Sequence, residues 1–80
     1  MIKKIGILGS TGSIGTTLLK LINKDEFEIR FLSANKNYKK LLNQAKKFNV
    51  KNLIITDHKS FNHAKIFNKD KTINIYNNFD

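Results

Sequence analysis

Residues 2–21 read IKKIGILGSTGSIGTTLLKL, and the fold turns on how they are parsed. β-Forming residues end at Ile7-Leu8, and three glycines follow at three-residue steps, Gly9, Gly12 and Gly15. From Ser13 the apolar residues recur at helical spacing: Ile14, Leu18, Leu21 and Ile22 share one face, while Lys20, Asn23 and Lys24 look outward. A short central strand over 2–8, a tight turn and a helix opening at Ser13 are expected. Thr16 and Thr17 are mediocre helix formers, so this helix depends on packing its aliphatic face against a sheet.

A glycine turn between a strand and a helix is the context in which a backbone binds phosphate. Glycine lets the chain turn tightly and approach an anion closely. The first amides of the helix are unpaired, and the helix dipole adds positive potential there. Ser10, Thr11 and Ser13 can add hydroxyl donors, and Gly15 lets the helix sit close to the sheet or to a ligand. The spacing is GxxGxxG, a variant of the familiar GxGxxG. No Gly-Lys-Ser/Thr follows, which removes the P-loop nucleotidases. The competing reading is a purely structural strand-to-helix join.

The rest of the chain continues the alternation. EIRFLS (28–33) reads as a second strand, followed by a loop at 34–37 in which Asn37 is a plausible N-cap. A helix over about 38–48 turns Leu41, Leu42, Ala45 and Phe48 inward. VKNLIIT (50–56) supplies a third strand, and Asp57 or Ser60 can cap a helix over about 59–68 carried by Phe61, Ala64 and Phe67. A short strand at 72–76 ends the series. The expected fold is α/β, a partial Rossmann-like parallel sheet in the order β-α-β-α-β-α-β, truncated, with helix cover wanted on both faces and the last strand at an open edge. No linker divides residues 1–80.

Eighty residues with no cysteine exclude a disulfide scaffold and a Cys-rich zinc site, and fit a reducing, cytoplasmic setting. No apolar run has the length of a membrane span, so no membrane partner is expected. The formal charge of +9 comes from lysines spread along the chain, without a nucleic-acid-binding signature; a solvated basic surface is expected, not a nucleic-acid interface. His58 and His63 are expected at the surface, Asp25 and Glu26 in a turn, and Asp57 as a cap. Phe27, Phe48, Phe61 and Phe67 are expected in or half in the core. No acid–base pair, nucleophile triad or metal cage is recognisable, so no catalytic or metal-ligating residue is assigned.

The end of the second strand bears on the cofactor. Sites that prefer NAD commonly carry an acidic residue there for the ribose hydroxyls. FLSANKN (31–37) has none; Ser33, Asn35 and Asn37 can hydrogen-bond, and Lys36 can meet a 2′-phosphate, which favours NADP. An ordinary surface lysine is the competing reading of Lys36.

ILGSTGSIG (7–15) after an N-terminal strand, then FLSANKN, then LLNQAKKFNVKNLIITD (41–57), resembles the opening of the 1-deoxy-D-xylulose 5-phosphate reductoisomerase family. The resemblance is good over about 2–57 and weak after 60. It implies that Thr11, Gly12, Ser13 and Ile14 hold the phosphates of NADPH, and that Asn35, Lys36 and Asn37 contact the adenosine ribose and its 2′-phosphate. Asn35 stands where the family usually has glycine, and the link from first helix to second strand is shorter and lacks the family's proline. The implied activity is rearrangement and reduction of 1-deoxy-D-xylulose 5-phosphate to 2-C-methyl-D-erythritol 4-phosphate in isoprenoid precursor synthesis, with NADPH and Mg²⁺ or Mn²⁺. The family's metal ligands, substrate-phosphate ligands, C-terminal domains and homodimer surfaces are expected to lie outside these residues. The expectation is an N-terminal part of an NADPH-binding domain, inactive by itself. A stand-alone nucleotide- or phosphate-binding module without catalysis is the alternative.

Overall fold

The computed structural model describes residues 2–79. Its elements are β1 (Lys3–Ile7), α1 (Ser13–Leu21), β2 (Phe27–Ala34), α2 (Tyr38–Phe48), β3 (Asn52–Ile55), α3 (His58–Phe67) and β4 (Asn74–Tyr76). The alternation read from the sequence is present throughout, with boundaries moved by one or two residues. Asn37 caps α2 through its Oδ1, which accepts from the Lys40 amide. Asp57 caps α3, accepting from the amide and hydroxyl of Ser60 at 3.0 and 2.7 Å.

The four strands are parallel and lie in the order β1-β2-β3-β4. Among the described strands β1, expected to be central, therefore stands at one edge, and β4 at the other. Each crossover steps the same way, so right-handed connections stack all three helices on one face. Among the described residues helix cover on both faces is not found. One core gathers Leu19 of α1, Leu41, Leu42 and Ala45 of α2 and Ala64 of α3 against Ile7, Leu32, Leu53 and Ile55 of the strands. On the opposite face Phe31 lies over Gly6, and Phe79 meets the Phe31 ring edge-on at 6.4 Å between centroids.

Helix α1 differs from expectation in its rotation. Ile14 is 86% exposed, Leu18 45% and Leu21 76%, whereas Gly15 and Leu19 are buried and Ile22 packs against the core. The reason is steric. A Cβ on Gly15 would lie 2.6 Å from the Ser10 Cα and run into the Gly9 carbonyl, so the helix backbone is pressed onto the turn at Gly15. Once position 15 faces the turn, the residue one helical turn further on faces the sheet, and that residue is Leu19. The stripe through Ile14, Leu18 and Leu21 is carried to the outside.

Candidate phosphate-binding site

The glycine turn joins β1 to α1 at the carboxyl end of the parallel strands, where open α/β sheets place their ligands. Gly9 has φ +63°, a left-handed conformation that costs other residues roughly 1–2 kcal/mol. Gly15 is required by the close approach described above. Gly12 is different. It is the N-cap of α1, with φ −74° and ψ 173°, and a Cβ there would make only an ordinary 3.5 Å contact with the Gly9 carbonyl. Nothing in the fold demands glycine at this position; its missing side chain leaves clearance above the helix start. No side chain caps that start, and its first turn holds no acidic residue. The leading amides of a helix have no intrahelical acceptor, so an uncovered positive end faces the clearance.

The turn is fixed from below by three elements. The Gly9 amide donates to the Ser33 Oγ at 3.1 Å and the Ser10 amide to the Ser33 carbonyl at 2.9 Å. The Gln44 Nε2 donates to the Ser10 carbonyl at 2.8 Å, and the Ser10 hydroxyl reaches the Gln44 Oε1 at 2.9 Å. The Thr16 hydroxyl also donates to the Ser10 carbonyl, at 3.3 Å. From above, the Lys40 Nζ donates to the Thr11 carbonyl at 3.0 Å, and the structure pairs this ammonium with no carboxylate among the described residues.

Of the residues singled out in the sequence, Gly9, Gly12, Ser13 and Ile14 are exposed around the turn, and Thr11 is half-buried. Ser10 and Gly15 are buried beneath it. The Ser10 hydroxyl points into the protein, so Ser10 serves the turn's shape, not its open side. The second loop, Asn35–Asn37, is exposed beside α2. Its Asn35 carbonyl accepts the Asp57 amide at 3.0 Å, and its Asn35 Oδ1 accepts the Thr56 hydroxyl at 2.9 Å. The hydrogen bonds from Ser60 hold the Asp57 carboxyl below its ordinary range, and the nearby Lys36 ammonium adds to this. Ser33 lies under the glycine turn, apart from the exposed Asn35–Asn37 loop. His58 sits beside Asn62 and Phe61, and His63 meets Tyr38 edge-on.

Sequence reasoning missed Gln44 and Lys40. Gln44 left a signal: it is a polar residue among Leu41, Leu42 and Ala45 on the inward face of α2, and such a residue is buried only with partners. Lys40 left none in a chain so rich in lysine.

A groove opens from Gly9 and Gly12 past Ile14 to Leu18, with Gly6 and Leu8 on its other side. Another groove involves Lys24, Phe27, Lys47 and Phe48, where both ammonium groups lie over the Phe48 ring, at 5.0 and 5.8 Å from its centroid. Those cations are already engaged with an aromatic face. The glycine turn, with its uncapped helix end and a Lys40 ammonium that no carboxylate neutralises among the described residues, is the better anion site.

Known proteins share this fold. The model of the family described as 1-deoxy-D-xylulose 5-phosphate reductoisomerase matches residues 5–78. The 1-deoxy-D-xylulose 5-phosphate reductoisomerase of Pelagibacter ubique (strain HTCC1062) is 54% identical, over 98% of this chain and 21% of its own length. The solved reductoisomerase from Zymomonas mobilis in complex with NADPH superposes with a TM-score of 0.84 at 33% identity, over 95% of this chain and 21% of that one. A solved DOX-P reductoisomerase in complex with NADPH, fosmidomycin and magnesium has the same fold, with a TM-score of 0.83 at 24% identity, over 94% of this chain and 19% of that chain. The chain spans about a fifth of the length of the relatives it matches.

Proposed function

This chain belongs to the 1-deoxy-D-xylulose 5-phosphate reductoisomerase family, and on that premise we propose that it is an NADPH-binding portion of such an enzyme. The observation that carries the reading is Gly12, a glycine the fold does not need, standing over a helix start that no side chain caps. In this assignment the turn Gly9–Gly15 receives the pyrophosphate through the amides of Thr11, Ser13 and Ile14 and the hydroxyls of Thr11 and Ser13. Lys36, with Asn35 and Asn37, receives the adenosine ribose and its 2′-phosphate. Asp57 stays occupied with Ser60, which leaves the Lys36 ammonium available to an anion.

NADPH held here would supply the hydride for the reduction that follows rearrangement of a sugar phosphate, 1-deoxy-D-xylulose 5-phosphate, on the way to isoprenoid precursors. What this chain's own residues do is bind and orient the dinucleotide. Among the described residues no three His, Asp or Glu side chains come together to hold a divalent ion. We assign the metal and the sugar phosphate to the larger part of the family's length that this chain does not span. The homodimer of the family is assigned there too.

Calorimetric titration of the folded chain with NADPH and NADH tests the proposal. A charge-assisted hydrogen bond is worth about 1.5–3 kcal/mol, so NADPH should bind roughly ten- to a hundredfold more tightly than NADH. The Gly12→Asp variant, which fills the clearance with a negative charge, should bind neither. Equal binding of both cofactors, or full affinity in Gly12→Asp, would refute it.

A further inference from the structure

We infer that Gln44 is a positioning residue for the phosphate turn, aiming the Thr11 amide at the bound anion. The inference rests on the cofactor reading given above. Gln44 lies on α2, only 8% exposed, and spends both ends of its amide on one residue 34 positions away. Its Nε2 donates to the Ser10 carbonyl at 2.8 Å and its Oε1 accepts the Ser10 hydroxyl at 2.9 Å. This two-point clamp draws the Ser10 carbonyl inward, where the Thr16 hydroxyl also donates to it.

The consequence follows from the peptide bond. The Ser10 carbonyl and the Thr11 N–H belong to the same peptide plane, and the bond between them is trans. In a trans peptide the C=O and N–H point in opposite directions. A carbonyl held into the protein by Gln44 and Thr16 therefore turns the Thr11 N–H toward the open side of the turn. The backbone contacts of the turn leave that N–H without an internal acceptor. The preceding peptide plane is fixed the other way, with its Ser10 amide on the Ser33 carbonyl and its Gly9 carbonyl accepting the Gly12 amide. Ser33 and Gln44 together set the two successive planes, and Gln44 sets the one that presents a donor outward. Without the clamp only the longer Thr16 contact, at 3.3 Å, holds the Ser10–Thr11 plane, and anion binding bears the cost of ordering it.

The test compares Gln44→Met, which keeps the length and loses both hydrogen bonds, with Ser10→Ala, which removes one of them. Ile73→Ala, in the core far along the chain from the turn, serves as a control for lost stability. NADPH affinity should fall about tenfold or more in Gln44→Met, by less in Ser10→Ala, and stay within twofold in Ile73→Ala. In amide NMR spectra of the free proteins, the Ser10 and Thr11 signals should shift and broaden in Gln44→Met but not in Ile73→Ala. In the wild type, NADPH should move the Thr11 amide signal downfield. Unchanged Ser10 and Thr11 signals in folded Gln44→Met would overturn the inference, as would wild-type NADPH affinity in that variant. If the wild type itself does not bind NADPH, the cofactor proposal fails, while the free-protein spectra still decide the role of Gln44. If Gln44→Met does not fold, Gln44→Glu, which keeps an acceptor for the Ser10 hydroxyl and loses the donor to the Ser10 carbonyl, decides it by its Thr11 signal in the same way.

Discussion

At the scale of residues, the three glycines do different work. Gly9 turns the chain through a left-handed conformation, Gly15 lets α1 press on the turn, and Gly12 leaves room above it. Only the spacing of the three is visible in the sequence; their separate roles need coordinates. Asp57 offers a test of local electrostatics. Its carboxyl is held below the ordinary 3.8 by the Ser60 hydroxyl and amide, with help from Lys36 and Lys59. A carboxyl whose folded-state value is lowered stabilises the fold above its unfolded value, and that contribution is lost as pH falls through the folded value. The melting temperature should thus drop as pH falls below about 4, and Asp57→Asn should flatten part of that drop while holding its cap near neutral pH, because asparagine also caps well. An unaltered acid profile in Asp57→Asn would contradict this. Asp70, lowered by Thr72 in the same manner, accounts for the part that remains. Asp57 was legible as a cap because cap chemistry is local. Gln44 and Ser33 were not legible as supports of the turn, because their partner Ser10 lies 34 and 23 residues away.

At the scale of elements, α2 was read correctly from its cap and apolar spacing, and α3 from its cap and from Phe61 and Ala64, while Phe67, expected to help carry α3, is 50% exposed. Helix α1 was placed correctly and rotated wrongly. Ile14, Leu18 and Leu21 make a better aliphatic stripe than Gly15 and Leu19, yet the close approach at Gly15 sets which face is buried. Hydrophobic periodicity counts side chains, and glycine contributes none, so the contact that decides the rotation is invisible to it. The energetic consequence is direct. Leu19→Ala should cost about 2–5 kcal/mol, since Leu19 is 2% exposed in the core. Leu21→Lys, at a residue 76% exposed, should stay within about 0.5 kcal/mol of the wild type. Urea unfolding of the two variants reads both values, and the reverse ranking would show that the stripe faces the sheet after all.

At the scale of the whole molecule, the strand order β1-β2-β3-β4 and a single helical layer bring two loops to the same end of the sheet. One is the glycine turn after β1, and the other is Asn35–Asn37 after β2, tied to the end of β3 through Thr56 and Asp57. The parallel order was legible because strands separated by helix-length crossovers pair in that way. The edge position of β1 and the single layer of helices were not, because they depend on every crossover stepping in one direction. Helix α2 links the two loops: Asn37 caps it, Lys40 reaches the Thr11 carbonyl, and Gln44 clamps Ser10. Asn37, Lys40 and Gln44 fall at helical spacing, so one face of one helix serves both halves of the proposed site. The measurement that tests this most directly is amide chemical-shift mapping of the uniformly ¹⁵N-labelled chain during NADPH titration. The largest shifts should fall on Thr11–Gly15 and on Asn35–Asn37 together, with NADH, which lacks the 2′-phosphate, moving Lys36 far less than NADPH does. Shifts confined to the lysines around Phe48 at the other groove, or scattered over the basic surface, would contradict it.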